Sequence, residues 1–518
     1  MLLFEWVVLL LSGALLLAGL ARRAGAPYPT FLALGGTVLA FVPGTPVVLL
    51  EPDLALALFL APVLMDAAYG ASLRDLKANG LPIAGLVLGA VGLTTVAVAV
   101  VAKALLPDLP WAAAIALGAI VAPPDAAAAT SVLRQVGLPH RLLVILEGES
   151  LLNDASSLLV YRLAVAATLA GAFSPEEVAP AFLLGVAGSL VAGPLLGWLF
   201  LKISRPIEDT STVIVLQFVG AFGVWLLAER LELSAVLTIV TYGLTIARHA
   251  PLHTPAHQRQ PAHAVWETAV FVLNVLAFVL IGLQVGPIVE RLEPGERLSY
   301  GLVALAVLAT TMLVRFAWVM GSGLVVVAWR RWRHGIDREA DAAFLKSGLA
   351  ISWSGMRGVV SLAAALALPA DGPAGDGFPH RDLAVLTAFC VVLGTLVLQG
   401  LTLRPLLARL GLRDDDPVGR EIGRARARVL QAASASIAHE RSEAATALRQ
   451  EYDALLRQAE QEPKGEVAGG VPHDHLRRRA VDAARETLLG LRDSGEIGDD
   501  AFHALEEELD RIELSVAR

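Results

Sequence analysis

The sequence predicts an all-α polytopic membrane protein of about thirteen transmembrane helices, and three observations carry that prediction. Apolar stretches long enough to cross a bilayer recur through most of the chain. The short-period alternation of a membrane barrel is absent, so helices must satisfy the backbone inside the lipid. Lysine and arginine gather in every second loop. The composition agrees: 55% of the 518 residues are hydrophobic and only 17% charged, and the mean hydropathy is +0.62, too apolar for a water-soluble domain of this size.

The spans read as 2–21, 27–43, 52–71, 81–103, 111–133, 140–171, 180–203, 210–230, 233–249, 266–287, 299–329, 343–369 and 382–410. Residues 2–20 have no basic segment before them and no cleavage site after them, so they are read as the first membrane helix. Arg22 and Arg23, Arg74 and Lys77, Arg134 and Arg141, Lys202 and Arg205, Arg248 and Arg259, and Arg330, Arg331, Arg333 and Arg338 follow the odd-numbered spans. The other loops are acidic, with Glu51 and Asp53, Asp108, Glu176 and Glu177, Glu290, Glu293 and Glu296, and Asp371 and Asp376. The positive-inside rule therefore places the amino terminus outside a cell (inner) membrane and the carboxyl terminus in the cytoplasm. The 46 glycines suit close helix packing in lipid. The single cysteine, Cys390, excludes an intrachain disulfide and reads as a small packing residue.

Residues 1–413 form the expected transmembrane domain, with dimerisation and core parts interleaved, and 414–518 a cytoplasmic helical tail. The tail carries mixed charge in two helical regions, the second at about 474–517, the pattern of water-facing helices. It is expected to bind a regulator, to support dimerisation, or only to add solubility.

Span 140–171 is unusual because Glu147, Glu149, Ser150, Asn153 and Asp154 lie inside it. Ionisable groups at membrane depth are costly and mark ion or proton pathways. Ser150 and Asp154 are four residues apart on one face, and Glu149 and Asn153 on an adjacent one. In span 111–133, Pro123 and Pro124 should open the helix just before Asp125, freeing carbonyls, that of Pro124 included, beside a carboxylate. Oxygen donors of this kind suit a hard cation. Span 343–369 carries Gly348, Gly355 and Gly358 around Arg357, a second break candidate. The two interruptions are seven spans apart, as inverted repeats would place them, and point to a transport site at the midplane. Arg357 is the expected partner of Glu149, since either would be very costly unpaired. Asp66, in span 52–71, is a further carboxylate at depth, expected to line an access funnel, support the site or cap its helix. Arg315 lies deep in span 299–329 and must pair or snorkel. His249, His253, His257 and His263 crowd one loop, where Pro251, Pro255 and Pro261 should prevent a helix from aligning the first three.

No phosphate-binding loop, zinc-protease motif or nucleophile elbow occurs, so the chain is expected to be a secondary transporter and not an enzyme, with no cofactor and no nucleic-acid partner.

The strings LEGESLLNDASSLLVYR, GAIVAPPDAAAAT and WSGMRGVVSLAAALALP resemble signature segments of bacterial sodium/proton antiporters, in the branch with an Asn-Asp pair. The resemblance covers most of residues 1–413. It implies a homodimer with two crossed discontinuous helices in a mobile core, and electroneutral exchange of one cation for one proton. It makes Asn153 and Asp154 the Asn-Asp pair, Asp125 the aspartate of the broken helix, Ser150 a hydroxyl ligand, and Glu149 with Arg357 an internal salt bridge. The family usually has threonine where Pro124 stands, leaving only the backbone carbonyl to bind the ion, and often glutamate where Asp66 stands. Sodium is the expected cation, with potassium or lithium open. The competing readings are a potassium/proton antiporter, a sodium-coupled organic anion transporter on the same scaffold, and a membrane sensor.

Overall fold

The computed structural model describes residues 2–43, 52–125, 138–170, 175–292, 295–369, 377–412 and 417–461 apart from 441, with isolated residues elsewhere. The chain divides into two compact units, Met1–Arg413 and Asp414–Arg518. Every regular element among the described residues is helical.

The first unit opens with α1 (Leu2–Ala24), α2 (Tyr28–Ala40), α3 (Pro52–Gly70) and the short α4 (Leu73–Ala78). Next come α5 (Gly80–Leu105), α6 (Trp111–Val121) and α7 (His140–Ala170). Then follow α8 (Pro175–Ser204), α9 (Thr210–Arg230), α10 (Ala235–His253), α11 (Ala256–Leu283) and the short α12 (Val285–Arg291). The unit closes with α13 (Glu296–His334), α14 (Arg338–Trp353), α15 (Val359–Leu366) and α16 (Arg381–Leu410). Six stretches among the described residues are long and apolar enough to cross a bilayer, and shorter apolar helices lie between them. Apolar side chains such as Leu184 and Leu195 on α8 and Leu298 and Leu305 on α13 stand exposed, as they would against acyl chains.

The observed helices differ from the expected spans where backbone chemistry intervenes. Span 343–369 is two helices, α14 and α15, separated at residues 354–358. In span 111–133 the first helix stops at Val121, and residues 126–128, 130–132 and 134–137 lie outside the described residues. The histidine-rich stretch is no open loop. Pro251 falls in the last turn of α10, Pro255 is the N-cap of α11, and Pro261 is tolerated near the start of that helix. No group of three histidine, cysteine or acidic side chains gathers as a metal site among the described residues.

Missing side chains set the closest helix contacts. At the α2–α11 crossing, a Cβ on Gly36 would stand 2.3 Å from the Val279 carbonyl oxygen, and one on Gly282 would stand 2.3 Å from that of Ala33. α5 passes through a π-helical stretch, Gly85–Ala90, where the indole Nε1 of Trp318 on α13 donates to the Gly85 carbonyl at 2.9 Å. That ring lies over Gly89, where a Cβ would come within 2.0 Å of it.

Two apolar cores result. One gathers buried residues of α2, α5, α6, α11, α13 and α16, and the other those of α3, α8, α9 and α10. α7 and α15 contribute to both, through Leu146 and Leu362 on one side and Leu151 and Ala363 on the other. The polar residues of α7 are therefore held at the seam between two packed bodies.

In the second unit, α17 (Pro417–Ser436) and α18 (Glu443–Gln461) pack on each other. The expected helical region at 474–517 lies outside the described residues apart from scattered positions.

Candidate cation site

Two interrupted helices meet beside α7. α6 stops at Val121, and the chain runs through Ala122, Pro123 and Pro124 to Asp125. α14 stops at Trp353, and residues 354–358 carry the chain to α15. The interruptions are joined directly, since the amide of Asp125 donates to the Met356 carbonyl at 2.7 Å. Such a break leaves carbonyls unpaired at one helix end and amides at the next, and in a membrane no water satisfies them.

Arg357 satisfies the carbonyls. It is 1% exposed, and its guanidinium donates to Val121 at 3.1 Å, Ala122 at 3.2 Å and Gly355. A fixed cation thus sits on the negative ends of α6 and α14. The Arg357 amide donates to Thr395 Oγ1 on α16 at 3.0 Å. Asp125 takes the opposite position. Its carboxylate lies against Gly358, the N-cap of α15, where a Cβ would fall 1.7 Å from Oδ2. A negative group there faces the positive end of a helix.

The expected Glu149–Arg357 salt bridge is replaced by Glu149–Arg315. Arg315 Nη1 and Nη2, from α13, donate to Glu149 Oε1 at 2.5 Å and Oε2 at 2.8 Å, and Nη2 also reaches the Ile351 carbonyl at 3.2 Å. Arg315 and Glu149 are 2% and 1% exposed. The physical reason is that the helix breaks supply Arg357 with enough carbonyls, while Arg315 presents both arms of its fork to both oxygens of one carboxylate.

Asn153 and Asp154 stand at the seam, 0% and 6% exposed. Asn153 Nδ2 donates to the Pro124 carbonyl at 2.9 Å, so the amide fixes the carbonyl expected to bind an ion and leaves it one lone pair. Asn153 Oδ1 has no hydrogen-bond partner among the described residues. Asp125 is the carboxylate whose field reaches Asp154. Among the described residues no cationic side chain lies within ion-pair distance of Asp154. Ser150 is half-buried, one turn before Asp154 on α7. Asp125, Pro124, Asn153 and Asp154 are thus brought together, with Ser150 adjoining.

Asp66 lines a cavity of about 80 Å³ among α3, α8, α9, α10 and α11 with Arg259, His263, Gln217, Tyr242 and Trp266. Arg315 is the site-supporting residue whose pairing was left open in the sequence, and its depth in an apolar span was the signal. Gly358 was marked only as part of a break candidate and its contact with Asp125 carried no signal; Thr395 carried none, because its role arises only where the break after α14 meets α16.

A buried carboxylate, Asp154, beside a half-buried one, Asp125, where two interrupted helices meet defines the class, an ion-coupled membrane transporter. The model of the sodium/hydrogen exchanger transmembrane family matches residues 8–409, and the chain belongs to that family of cation/proton antiporters. An uncharacterised sodium/proton exchanger of Mycobacterium tuberculosis is 31% identical over 441 residues, covering 83% of this chain and 79% of the relative. A sodium, potassium, lithium and rubidium/proton antiporter of Bacillus pumilus is 28% identical over 503 residues, covering 94% of this chain and 74% of the relative. The fold is similar to that of the sodium/proton antiporter MjNhaP1 of Methanocaldococcus jannaschii, with a TM-score of 0.60, 20% identity, and coverage of 79% of this chain and all of the other.

Proposed function

We propose that the chain exchanges one sodium ion for one proton by alternating access, electroneutrally, with Asp154 as the residue that holds either. The observation that carries this reading is the buried Asp154 beside Asp125, with Asn153 holding the Pro124 carbonyl. A carboxylate excluded from water is stable when protonated or when paired with a cation. The two occupancies exclude each other at one oxygen, so cation entry expels the proton and cation release readmits one. Asp125, Ser150 and the Pro124 carbonyl supply the remaining oxygens, a set suited to an alkali cation. Asp125 is held at the start of α15, and Asn153 carries no charge. One carboxylate then titrates per cycle, which gives one proton per cation.

Potassium is the second reading. Two Bacillus relatives that align over 94% of this chain are named for sodium, potassium, lithium and rubidium, and the proline at 124 removes a side-chain hydroxyl that would narrow the choice. The functional setting follows from the loop charges and the resemblance. The protein is a homodimer in the cell membrane, with its amino terminus outside and its carboxyl terminus inside, and it serves pH homeostasis. Inverted repeats relate its thirteen spans, and Asp414–Arg518 is a cytoplasmic tail that supports dimerisation or binds a regulator.

The test is internal pH in proteoliposomes under a set proton gradient, with sodium, potassium and lithium added in turn. The expected result is sodium-driven dissipation that is unchanged when the membrane potential is clamped. A rate that follows the potential would overturn one-for-one exchange, and no response to any of the three ions would overturn cation antiport.

A further inference from the structure

Away from the cation site, the ends of α3 and α10 and the short α4 enclose an open cavity of about 440 Å³. Its polar lining is one-signed, with Arg74 and Lys77 from α4, Arg248 from α10 and Tyr69 from the end of α3, over a floor that includes Leu244 and Ala247. Arg74 is drawn 3.2 Å from the Asp75 carboxylate. Among the described residues neither Lys77 nor Arg248 has a carboxylate within ion-pair distance. Both are exposed. Three cations from two elements around one hollow form a field that attracts an anion. Arginine matches phosphate oxygens with its fork, lysine binds them as a point charge, and the tyrosine hydroxyl adds a donor.

We propose that this cavity is a phosphate-anion site, and that its occupant is a phospholipid headgroup or a free phosphate compound. The membrane position favours the lipid. Arg74, Lys77 and Arg248 belong to loops of one sidedness, each following an apolar span. Basic pockets at that level bind anionic headgroups, and the apolar floor suits the first methylenes of such a lipid's acyl chains. The site joins α10 to α4, the segment that leads into α5, so an occupant ties together parts of the chain that pack in different cores.

The experiment uses the purified full chain and follows thermal melting against four probes: short-chain phosphatidylglycerol, phosphatidylcholine of the same chain length, inorganic phosphate and glycerol phosphate. Phosphatidylglycerol is expected to raise the melting temperature and phosphatidylcholine to do so much less. Each charge removed should weaken the response roughly fivefold, so Lys77→Gln with Arg248→Gln should raise the half-effect concentration about 25-fold. Arg330→Gln with Arg333→Gln, on another basic stretch, should leave it unchanged. A matching Lys77- and Arg248-dependent response to inorganic phosphate or glycerol phosphate would assign the site to a free anion; a response to phosphatidylglycerol alone assigns it to lipid. Equal half-effect concentrations in wild type and double variant, or no response to any anionic probe, would overturn the proposal. The two single variants, each at an exposed position and each expected to shift roughly fivefold, decide the matter if the double variant does not fold.

Discussion

Glu149 and Asp154 are both buried carboxylates on α7, five residues apart, and they are treated in opposite ways. Both oxygens of Glu149 are taken by Arg315, whose guanidinium is itself buried. Asp154 has no cationic partner among the described residues, and its neighbours are another carboxylate and an amide. A permanent cation makes a carboxylate a structural strut. A carboxylate without one must find its counter-charge in solution, as a proton or a metal ion. The difference between strut and binding site therefore lies in the helices opposite α7, not in α7.

The largest expected effect is on the binding side of that contrast. Asp154→Asn should abolish exchange while leaving the melting temperature near wild type, because it removes a charge that no residue compensates. Exchange at the normal rate in proteoliposomes would remove Asp154 from the site. Asp125→Asn should also abolish exchange. On the strut side, Arg315→Ala should destabilise the protein by about 3–5 kcal/mol, since it leaves Glu149 buried and unpaired. Glu149→Gln in the same chain should restore part of that loss. A thermal double-mutant cycle is expected to couple positions 149 and 315 far more strongly than 149 and 357; the reverse order would break the assignment.

A smaller effect sharpens the geometry around Asp125. Gly358→Ala forces a methyl group into the space of Oδ2, and overpacking of this kind costs about 1–3 kcal/mol. Because the displaced atom belongs to the site, cation affinity should fall more than stability does, as read from the sodium dependence of exchange against the melting temperature. The smallest effect is at a half-buried carboxylate outside the apolar spans. Partial burial acts to raise Asp75, but hydrogen bonds involving Ser72, His140 and Arg74 outweigh it and hold the carboxyl below its usual range. Its contribution is present above the unfolded-state value and lost as pH falls through the folded one. Asp75→Asn should lower stability by less than about 1 kcal/mol at neutral pH, with the difference from wild type vanishing in acid. A difference that grew on acidification would contradict the sign.

How much of this was legible in the sequence follows from the same residues. Pro123-Pro124 announced a break because proline lacks the amide a helix needs, and Glu149, Asp154 and Arg315 stood out because charge is rare in an apolar span. The family strings added the roles of Asn153 and Asp154. The partner of Glu149 was not legible. Helical periodicity places a residue on a face of its own helix, yet spans that are apolar all round give no sign of which faces meet. Arg357 stood amid glycines that promised a break, and the carbonyls that hold it were implied by that break, but only their positions show that they satisfy it. Asp66 stood out for the same reason: its depth signalled a polar environment, and it lines a cavity with Arg259 and His263.

α13 has 39 residues, about 58 Å at helical rise. Arg315 is its middle residue, so the ion pair with Glu149 stands about 28 Å along the helix from either end. A contact so placed is insulated from both aqueous phases. Counter-ions that weaken surface pairs within a Debye length cannot crowd around it. Its strength should therefore be indifferent to the salinity on either side of the membrane, the very quantity a cation/proton antiporter must work against.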